Sequence, residues 1–549
     1  HPIYNGNPID AVVYFKTMSM QVNAAESECP RCGNVIPDQI LEIIEAKEID
    51  DLGRETPKRR VPPRSWYLKY KENIEKNLKP VRYKERLPPS NFSIPNKFRQ
   101  FQIFSKRNLL SKISNKQYVL INLLEAPLLA LILAFFSKYI ADSEYVFSDN
   151  KNLPVFMFMA VVVSLFMGMS VSAEEIFKDR KILERESFLN LSRISYLNAK
   201  IFFLFCLSGF QSLVFILIGG AILEIHGVLF EYWLILFTTS CFANMVGLNI
   251  SSALNSIISI YILIPFILVP QLLLGGAMIR FDDLHPGFTN QKFVPVVGDL
   301  MVSRWSYEAL AVAQYKHNEY QKHFFEVEQD MSESSFQSFF IIPRLIATTK
   351  GLLKVDDVSK FPQKFELLQN QLKFLEAHFS VSPFPLISSL TPDYFNEPIG
   401  ERLIIHLENL DQTFKQRYKE AVEKKDSIYY ALVDKMGKEG FIQLKKDHYN
   451  EGLADILTNR NQIEKVYESE DLFIQKKDPI YTLPYSNIGR AHFYAPVKIV
   501  AGYKFDTVWF NIIVVWLLSA FLYYLLANDY LKRFLSFLSG TRKKKRNRV

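Results

Sequence analysis

Lys178-Asp-Arg-Lys-Ile-Leu-Glu-Arg-Glu-Ser187 opens the stretch 178–280, whose reading decides the fold. Three long apolar runs follow it, broken only by short turns. Each has about 20 residues or more, the length a helix needs to cross a hydrocarbon core roughly 30 Å thick. A charged loop tied to such runs predicts a bundle of membrane-spanning helices with that loop in water.

Working outward, the spans are predicted at Gln117–Ile140, Pro154–Ala173, Ala199–Leu223, Tyr232–Ile250, Ile257–Ile279 and Val508–Ala527. The expected fold class is mainly α. It is a polytopic membrane protein with six transmembrane helices, an amphipathic connecting helix and a large helical extracytoplasmic insertion between spans five and six. The expected division is an N-terminal piece at 1–60, a linker at 61–96 and the connecting helix at 97–115. His1–Gly6 reads as the end of a β-hairpin and Pro8–Met18 as a short helix with Ala11, Val12 and Phe15 inward; Glu55–Arg64, basic and proline-rich, reads as linker, and Leu87–Pro95, with three prolines, as a break. Spans one to five then occupy 116–279, with a charged loop at 174–198. The insertion follows at 280–503, span six at 504–530 and a basic tail at 531–549. In the connecting helix Phe101, Phe104, Leu109 and Ile113 oppose Lys106, Arg107 and Lys112, as in a helix lying at a membrane face.

The chain has 549 residues, 49% of them hydrophobic, an average of very apolar runs and highly charged ones. Its net charge of +8 sits beside the spans, which points to membrane topology rather than nucleic acid. Lys178, Arg180, Lys181, Arg185 and Arg193 crowd one loop; Lys532, Arg533 and the run Arg542-Lys-Lys-Lys-Arg546 crowd the tail. The positive-inside rule puts both chain ends and the charged loop in the cytosol and the insertion outside. The expected location is a cell membrane of the bacterial inner type. The start at His1 reads as a fragment or processed product.

Four cysteines occur, none between Arg280 and Tyr503, so the insertion is not a disulfide scaffold. Cys206 and Cys241 read as small buried residues within spans. Cys29 and Cys32 form a lone C-x-x-C, offering two of the four ligands that structural zinc needs. Zinc and an unligated turn both remain open there. His378, His406 and His448 lack ligand spacing. There is no G-x-x-x-x-G-K-[ST] and no Ser-His-Asp order in a suitable context, so the chain carries neither a P-loop nor a catalytic residue.

Within the spans, Glu125 is a costly intramembrane carboxylate. It is either part of a path or a topology anchor paired with Lys116 or Arg193. Gln211, Asn244, Asn249 and Gln271 are either interhelical hydrogen-bonding groups or cavity lining. Pro265, Pro270 and Gly275-Gly276 break span five, which is tolerated where backbone is buried or lines a cavity.

Several motifs now combine. Ile3-Tyr-Asn-Gly-Asn-Pro8 with Ala11-Val-Val-Tyr-Phe15, then Cys29-Pro30 and Ile36-Pro37-Asp38, precede the connecting helix. Asp179-Arg-Lys-Ile-Leu-Glu-Arg-Glu186 with Tyr196 and Lys200 follows span two, and Ser303-Arg-Trp-Ser-Tyr-Glu-Ala-Leu310 follows span five. In this set the chain resembles the G-subfamily ABC transporters, the White and pleiotropic-drug-resistance type. The likeness covers both ends and the membrane core but not about 324–479. It implies that 1–60 is the C-terminal remnant of a nucleotide-binding domain, whose ATP and Mg lie outside this chain. It implies that Glu175, Asp179, Arg180, Glu184, Arg185 and Glu186 couple the bundle to that ATPase. It further implies a partner, a second copy or a paralogous half-transporter, and membrane lipid as surroundings. By the same analogy Phe266–Leu274 forms a pore wall and Leu284–Val297 a short re-entrant or interfacial element; Glu125, Asn244, Phe266 and Gln271 are the expected path residues.

The insertion is predicted to hold helices at Phe361–Phe379, Ile399–Leu432 and Leu453–Tyr467, from leucines and aromatics at helical spacing. Two functions compete. One is the permease half of an ATP-driven exporter of a lipidic or amphipathic substrate, working as a dimer. The other is a mechanotransmission protein that moves its external domain without transporting anything. A membrane-anchored structural protein would need no coupling motif.

Overall fold

A computed structural model describes residues 2–22, 24, 38–50, 55–78, 95–140, 144–186, 191–355, 357–469 and 471–538. The chain divides into two compact units, His1–Ser93 and Ile94–Val549.

The first unit holds α1 (Pro8–Met18), α2 (Asp38–Glu45), strands β1 (Lys47–Ile49) and β2 (Glu55–Arg59), and α3 (Pro63–Asn73). Ala11, Val12 and Phe15 are buried as expected, and Phe15 meets Trp66 and Ile43 in a small core. Two expectations change. Glu55–Arg59 is not linker but a strand paired antiparallel with β1. Within the expected linker 61–96, α3 packs into this unit through Trp66. Residues 2–7 form no strand, so the hairpin end expected there is absent. Cys29, Cys32 and residues 87–94 of the break expected at Leu87–Pro95 lie outside the described residues. Among the described residues no group of three or more His, Cys, Asp or Glu could hold a metal.

The second unit begins with α4 (Lys97–Ser114), the connecting helix, and α5 (Lys116–Ser137). Asn115 separates them by capping the second: its Oδ1 accepts from Tyr118 N at 3.1 Å. Next come α6 (Leu153–Ser172), α7 (Glu175–Glu186), α8 (Arg193–Leu223), α9 (Leu229–Ala253) and α10 (Ile257–Leu273). On α5 the buried residues Asn122, Ala126, Ala130, Ala134 and Ser137 recur near every fourth position, a small-residue stripe that lets α8 approach. Leu120, Leu124, Leu128 and Phe135 face outward. α6 and α9 pack so closely that a Cβ on Gly168 would lie 2.5 Å from Ser240 O. Cys241 is buried, but Cys206 is exposed on α8, correcting the expectation for that residue.

Among the described residues, five helices are long and apolar enough to span a membrane. The fifth expected span is shorter than read: α10 has 17 residues and ends at Leu273, six before Ile279. Pro265 and Pro270 each remove a donor from its ladder, and Gly276 then takes φ +81°.

The insertion begins with α11 (Val296–Asp299) and α12 (Val302–Lys316). α12 is buried along almost its whole length, packed between α6, α9 and α18 (Thr507–Ala527). Beyond it, α13 (Phe325–Phe336), a π-helical turn at Gln337–Ile341 and α14 (Ile342–Leu353) pack on α15 (Pro362–Phe379) and α16 (Glu397–His448). Phe336, Leu345, Leu368, Leu372, Leu403 and Leu407 form that separate core. α16 runs well past Leu432 and breaks at Gly437, φ 79° and ψ 164°. The segment expected as a third helix splits into α17 (Glu451–Leu457) and a hairpin of β3 (Val466–Glu468) and β4 (Phe473–Gln475). A second hairpin, β5 (Val497–Val500) with β6 (Tyr503–Asp506), leads into α18, and α19 (Tyr530–Leu538) ends the described chain.

The unit has two distinct ends. At one, Asn450 Nδ2 donates to Phe147 O and Asn150 O, tying the insertion to the loop between α5 and α6. At the other, Asp529 after α18 pairs with Arg193 at the start of α8 and accepts from Ser252 Oγ at the end of α9. α7 lies at this second end.

Candidate functional site

The residues expected to couple the bundle to an ATPase lie on α7 and its entry. A two-residue turn, Ala173–Glu174, redirects the chain from α6 into α7. Ile176 N and Phe177 N both donate to Ser251 Oγ at 3.0 Å. Two donors left free at a helix start are thereby satisfied, and α7 is fixed to the end of α9.

Glu175, 3% exposed, is the centre of the junction. Its carboxylate accepts from Lys200 Nζ at 2.9 Å and from Lys112 Nζ. Lys200 also lies 2.9 Å from Asp179 Oδ2 and donates to Asn108 Oδ1 at 2.9 Å. Tyr196 Oη donates to Asp179 Oδ2 at 2.9 Å. Two ammonium groups thus face two carboxylates where α4, α7 and α8 meet. Buried charges persist only when paired and hydrogen-bonded, so the balance is what permits the site. Burial holds the Lys112 ammonium below its ordinary pKa, against the pull of Glu175.

Other contacts complete the attachment. Arg180 donates to Leu254 O at 2.9 Å and Asn255 Oδ1 at 2.5 Å, closing the C-terminal end of α9. Arg107 of α4 pairs with Glu186 at 2.5 Å. Tyr261 of α10 donates to Glu174 Oε1 at 2.6 Å. What remains outward is one face: Lys178, Lys181, Ile182 and Arg185, at the spacing of a single helical side, with Glu184 beside them.

The structure therefore splits the six residues named for coupling. Glu175, Asp179, Arg180 and Glu186 turn inward to neighbouring helices, while Glu184 and Arg185 are exposed. Sequence reading missed Asn108, Lys112, Ser251 and Asn255 as partners. Lys200 was the available signal, a lone cation at the start of an apolar run.

The residues named for a path do not converge. Asn244 Nδ2 donates to Ser208 Oγ at 2.7 Å, joining α9 to α8. Asn249 joins α9 to Leu522 O of α18 at 3.0 Å, and Gln211 joins α8 to Asn122 O of α5 at 3.2 Å. Glu125 has Ser170 of α6 as its hydrogen-bonding neighbour, and Arg193 is engaged by Asp529 instead. Gln271 Oε1 accepts from Ser303 N at 2.9 Å, joining α10 to α12. Phe266 is 71% exposed, on the outward stripe of α10 with Ile258, Ile262 and Val269.

A second charged cluster lies at the insertion end of the bundle. Glu308 accepts from Lys498 Nζ at 2.9 Å, Asn511 Nδ2 at 2.8 Å and Tyr494 N at 3.0 Å, with Arg304 one turn away. The cluster binds α12 to β5 and α18. Leu284–Val297, expected as a re-entrant or interfacial element, is mostly irregular, and α12 beyond it occupies the bundle.

No curated protein compared with the chain matches it. Residues 99–315, from the first turn of α4 to the last of α12, match the ABC-2 type transporter family; the rest of the insertion and α18 lie beyond the match. With five apolar helices of spanning length, this similarity supports an integral membrane permease of the ABC transporter class, a kind that works with an ATPase domain or partner.

Proposed function

We propose that the chain is the permease half of an ATP-driven exporter of the G-subfamily type, working as a dimer on a lipidic or amphipathic substrate. The carrying observation is the mounting of α7. It is held to α4, α8 and α9 through buried or capped contacts while its Lys178, Lys181, Ile182 and Arg185 side stays open. That suits a lever on which an ATPase domain pushes. α10 serves as the sixth span. Its outward stripe around Phe266 suits contact with a second copy. The Lys/Arg bias puts α7 and both chain ends in the cytosol and the insertion outside.

A mechanotransmission role is the second reading. It is favoured by the firm attachment of the insertion to the bundle through Asn450 and Glu308, which would carry helix movement outward.

The test is Ile182→Asp with Arg185→Glu in the full-length protein, reconstituted in vesicles. ATP binding should persist while ATP-driven substrate movement is lost. Unchanged movement would reject the lever.

A further inference from the structure

None of the nine residues of α19 is buried, yet its surface is not that of a solvated helix. Tyr530, Phe534, Phe537 and Leu538 fall on one helical side, and all four are exposed, Phe537 at 76%. Lys532, Arg533 and Ser536 take the opposite side. Leu531 and Leu535, between the two, are half-buried, and α19 rests on α9. Four large apolar side chains together on one open side mark a surface that something covers.

What covers it follows from where it lies. α18 is of spanning length and ends at Ala527, so only Asn528 and Asp529 separate it from α19. Asp529 takes φ +54°, a left-handed residue that ends one helix and redirects the chain into the next. Its carboxylate pairs with Arg193 and accepts from Ser252 Oγ at 3.1 Å, which pins the turn to α8 and α9. α19 therefore begins at the edge of the hydrocarbon layer. Tyr523 and Tyr524 stand in the last turn of α18 and Tyr530 in the first of α19, with the Tyr524 and Tyr530 hydroxyls 3.4 Å apart. Tyrosine gathers at the headgroup level of a bilayer.

Charge identifies the lipid. Residues 530–549 hold eight Lys or Arg and no Asp or Glu, so the rest of the chain balances at 57 of each sign. The whole net charge of the protein thus follows α18, and Lys532 and Arg533 place part of it on α19 itself. A helix with an apolar side, a cationic side and no acid suits the surface of a bilayer with anionic headgroups.

We infer that α19 is an interfacial anchor at the α7 end of the bundle. Its Tyr530, Phe534, Phe537 and Leu538 enter the acyl boundary, and Lys532 and Arg533 meet anionic phospholipid headgroups. The inference goes beyond the exporter reading and rests only on α18 crossing the membrane. Its reach is mechanical: Ser251 receives the start of α7 and the adjacent Ser252 holds Asp529. Anchoring α19 would hold the α7 junction at a fixed level against the lipid.

The test uses the full-length, cysteine-free protein in vesicles of phosphatidylcholine, alone or in a two-to-one mixture with phosphatidylglycerol. A nitroxide is attached at Phe537→Cys on the apolar side or at Ser536→Cys on the polar side. Both are surface positions, so folding should be unaffected. Electron paramagnetic resonance compares collisions with oxygen, which enriches in lipid, and with a nickel chelate, which stays in water. In the mixed vesicles oxygen should dominate at 537 and nickel at 536. Nickel access at 537 should fall several-fold on adding phosphatidylglycerol. Each basic residue near an anionic surface is worth about five-fold in binding, so Lys532→Gln with Arg533→Gln should restore part of that access. Equal nickel access at 537 and 536 in both membranes would leave the apolar side in water and overturn the anchor. Exclusion of both reagents at 537, whatever the lipid, would mean that protein covers it and would overturn it too. Access at 537 that ignores phosphatidylglycerol would overturn the assignment of anionic headgroups. Neither nucleotide nor transport enters the measurement, so its outcome is independent of the lever.

Discussion

Glu308 and Lys498, 190 residues apart in the chain, meet 2.9 Å from each other with neither side chain exposed. The contact fixes a helix inside the bundle to a hairpin just before the last span. It is also where removal of one partner hurts most, because the survivor remains buried and charged.

Lys498→Met should therefore destabilise the protein by about 3–5 kcal/mol. Glu308→Gln with Lys498→Met should cost clearly less than the two single changes summed. Thermal unfolding of the purified protein in detergent, followed by tryptophan fluorescence, measures the cycle. Simple additivity would show that the pair does not act as a unit.

At the opposite end, Lys200→Met leaves Glu175 and Asp179 with Lys112 as the remaining cation of the junction. The expected loss of stability is again about 3–5 kcal/mol. α7 should loosen before the spans do. Hydrogen exchange at 175–186 should rise while exchange within α6 and α9 stays slow. Uniform change across all three helices would contradict a local role.

Burial pushes the His492 imidazole down to about 4 from its ordinary 6.5. In the unfolded chain it binds a proton first as pH falls. Its contribution to stability is thus complete above about pH 6.5 and is lost as pH drops toward 4. The melting temperature should decline over that window, and His492→Phe should reduce the decline. It should not abolish it, since burial shifts His378, His406 and His448 the same way. An unchanged slope would mean that His492 does not titrate as described.

Exposed Lys424 on α16 and Lys181 on α7 report on the two ends. In cysteine-free backgrounds, Lys424→Cys should react with a membrane-impermeant maleimide in intact cells. Lys181→Cys should react only after lysis. The reverse pattern would invert the proposed orientation.

Where the signal was local, the sequence was readable. Asn96 and Asn115 cap their helices within three residues, and the apolar runs are continuous, so α4, α5 and α6 fall within a few residues of their predicted limits. The shortening of α10 was written in Pro270 and Gly275-Gly276, but not which residue would end it. α12 was hidden for the opposite reason. Arg304 and Glu308 look like a solvated face, and what makes them buriable, Lys498 and Asn511, lies about 190 residues further on. The junction at Glu175 shows the same difficulty, since Lys112 is 63 residues away. In β2, Pro57 made the segment look like a linker, although an edge strand tolerates it.

The brevity of α10 has a consequence for the lipid around it. Seventeen residues rise about 25 Å, short of a hydrocarbon core of roughly 30 Å. If α10 is the sixth span proposed above, acyl chains touching Ile258, Ile262 and Phe266 must compress, or the stripe must be covered by protein. Either response has a small cost for each ångström of mismatch, and the cost grows with chain length. A membrane of longer lipids would therefore press α10 toward a neighbouring helix, so the thickness of the bilayer itself would act on the dimer proposed above.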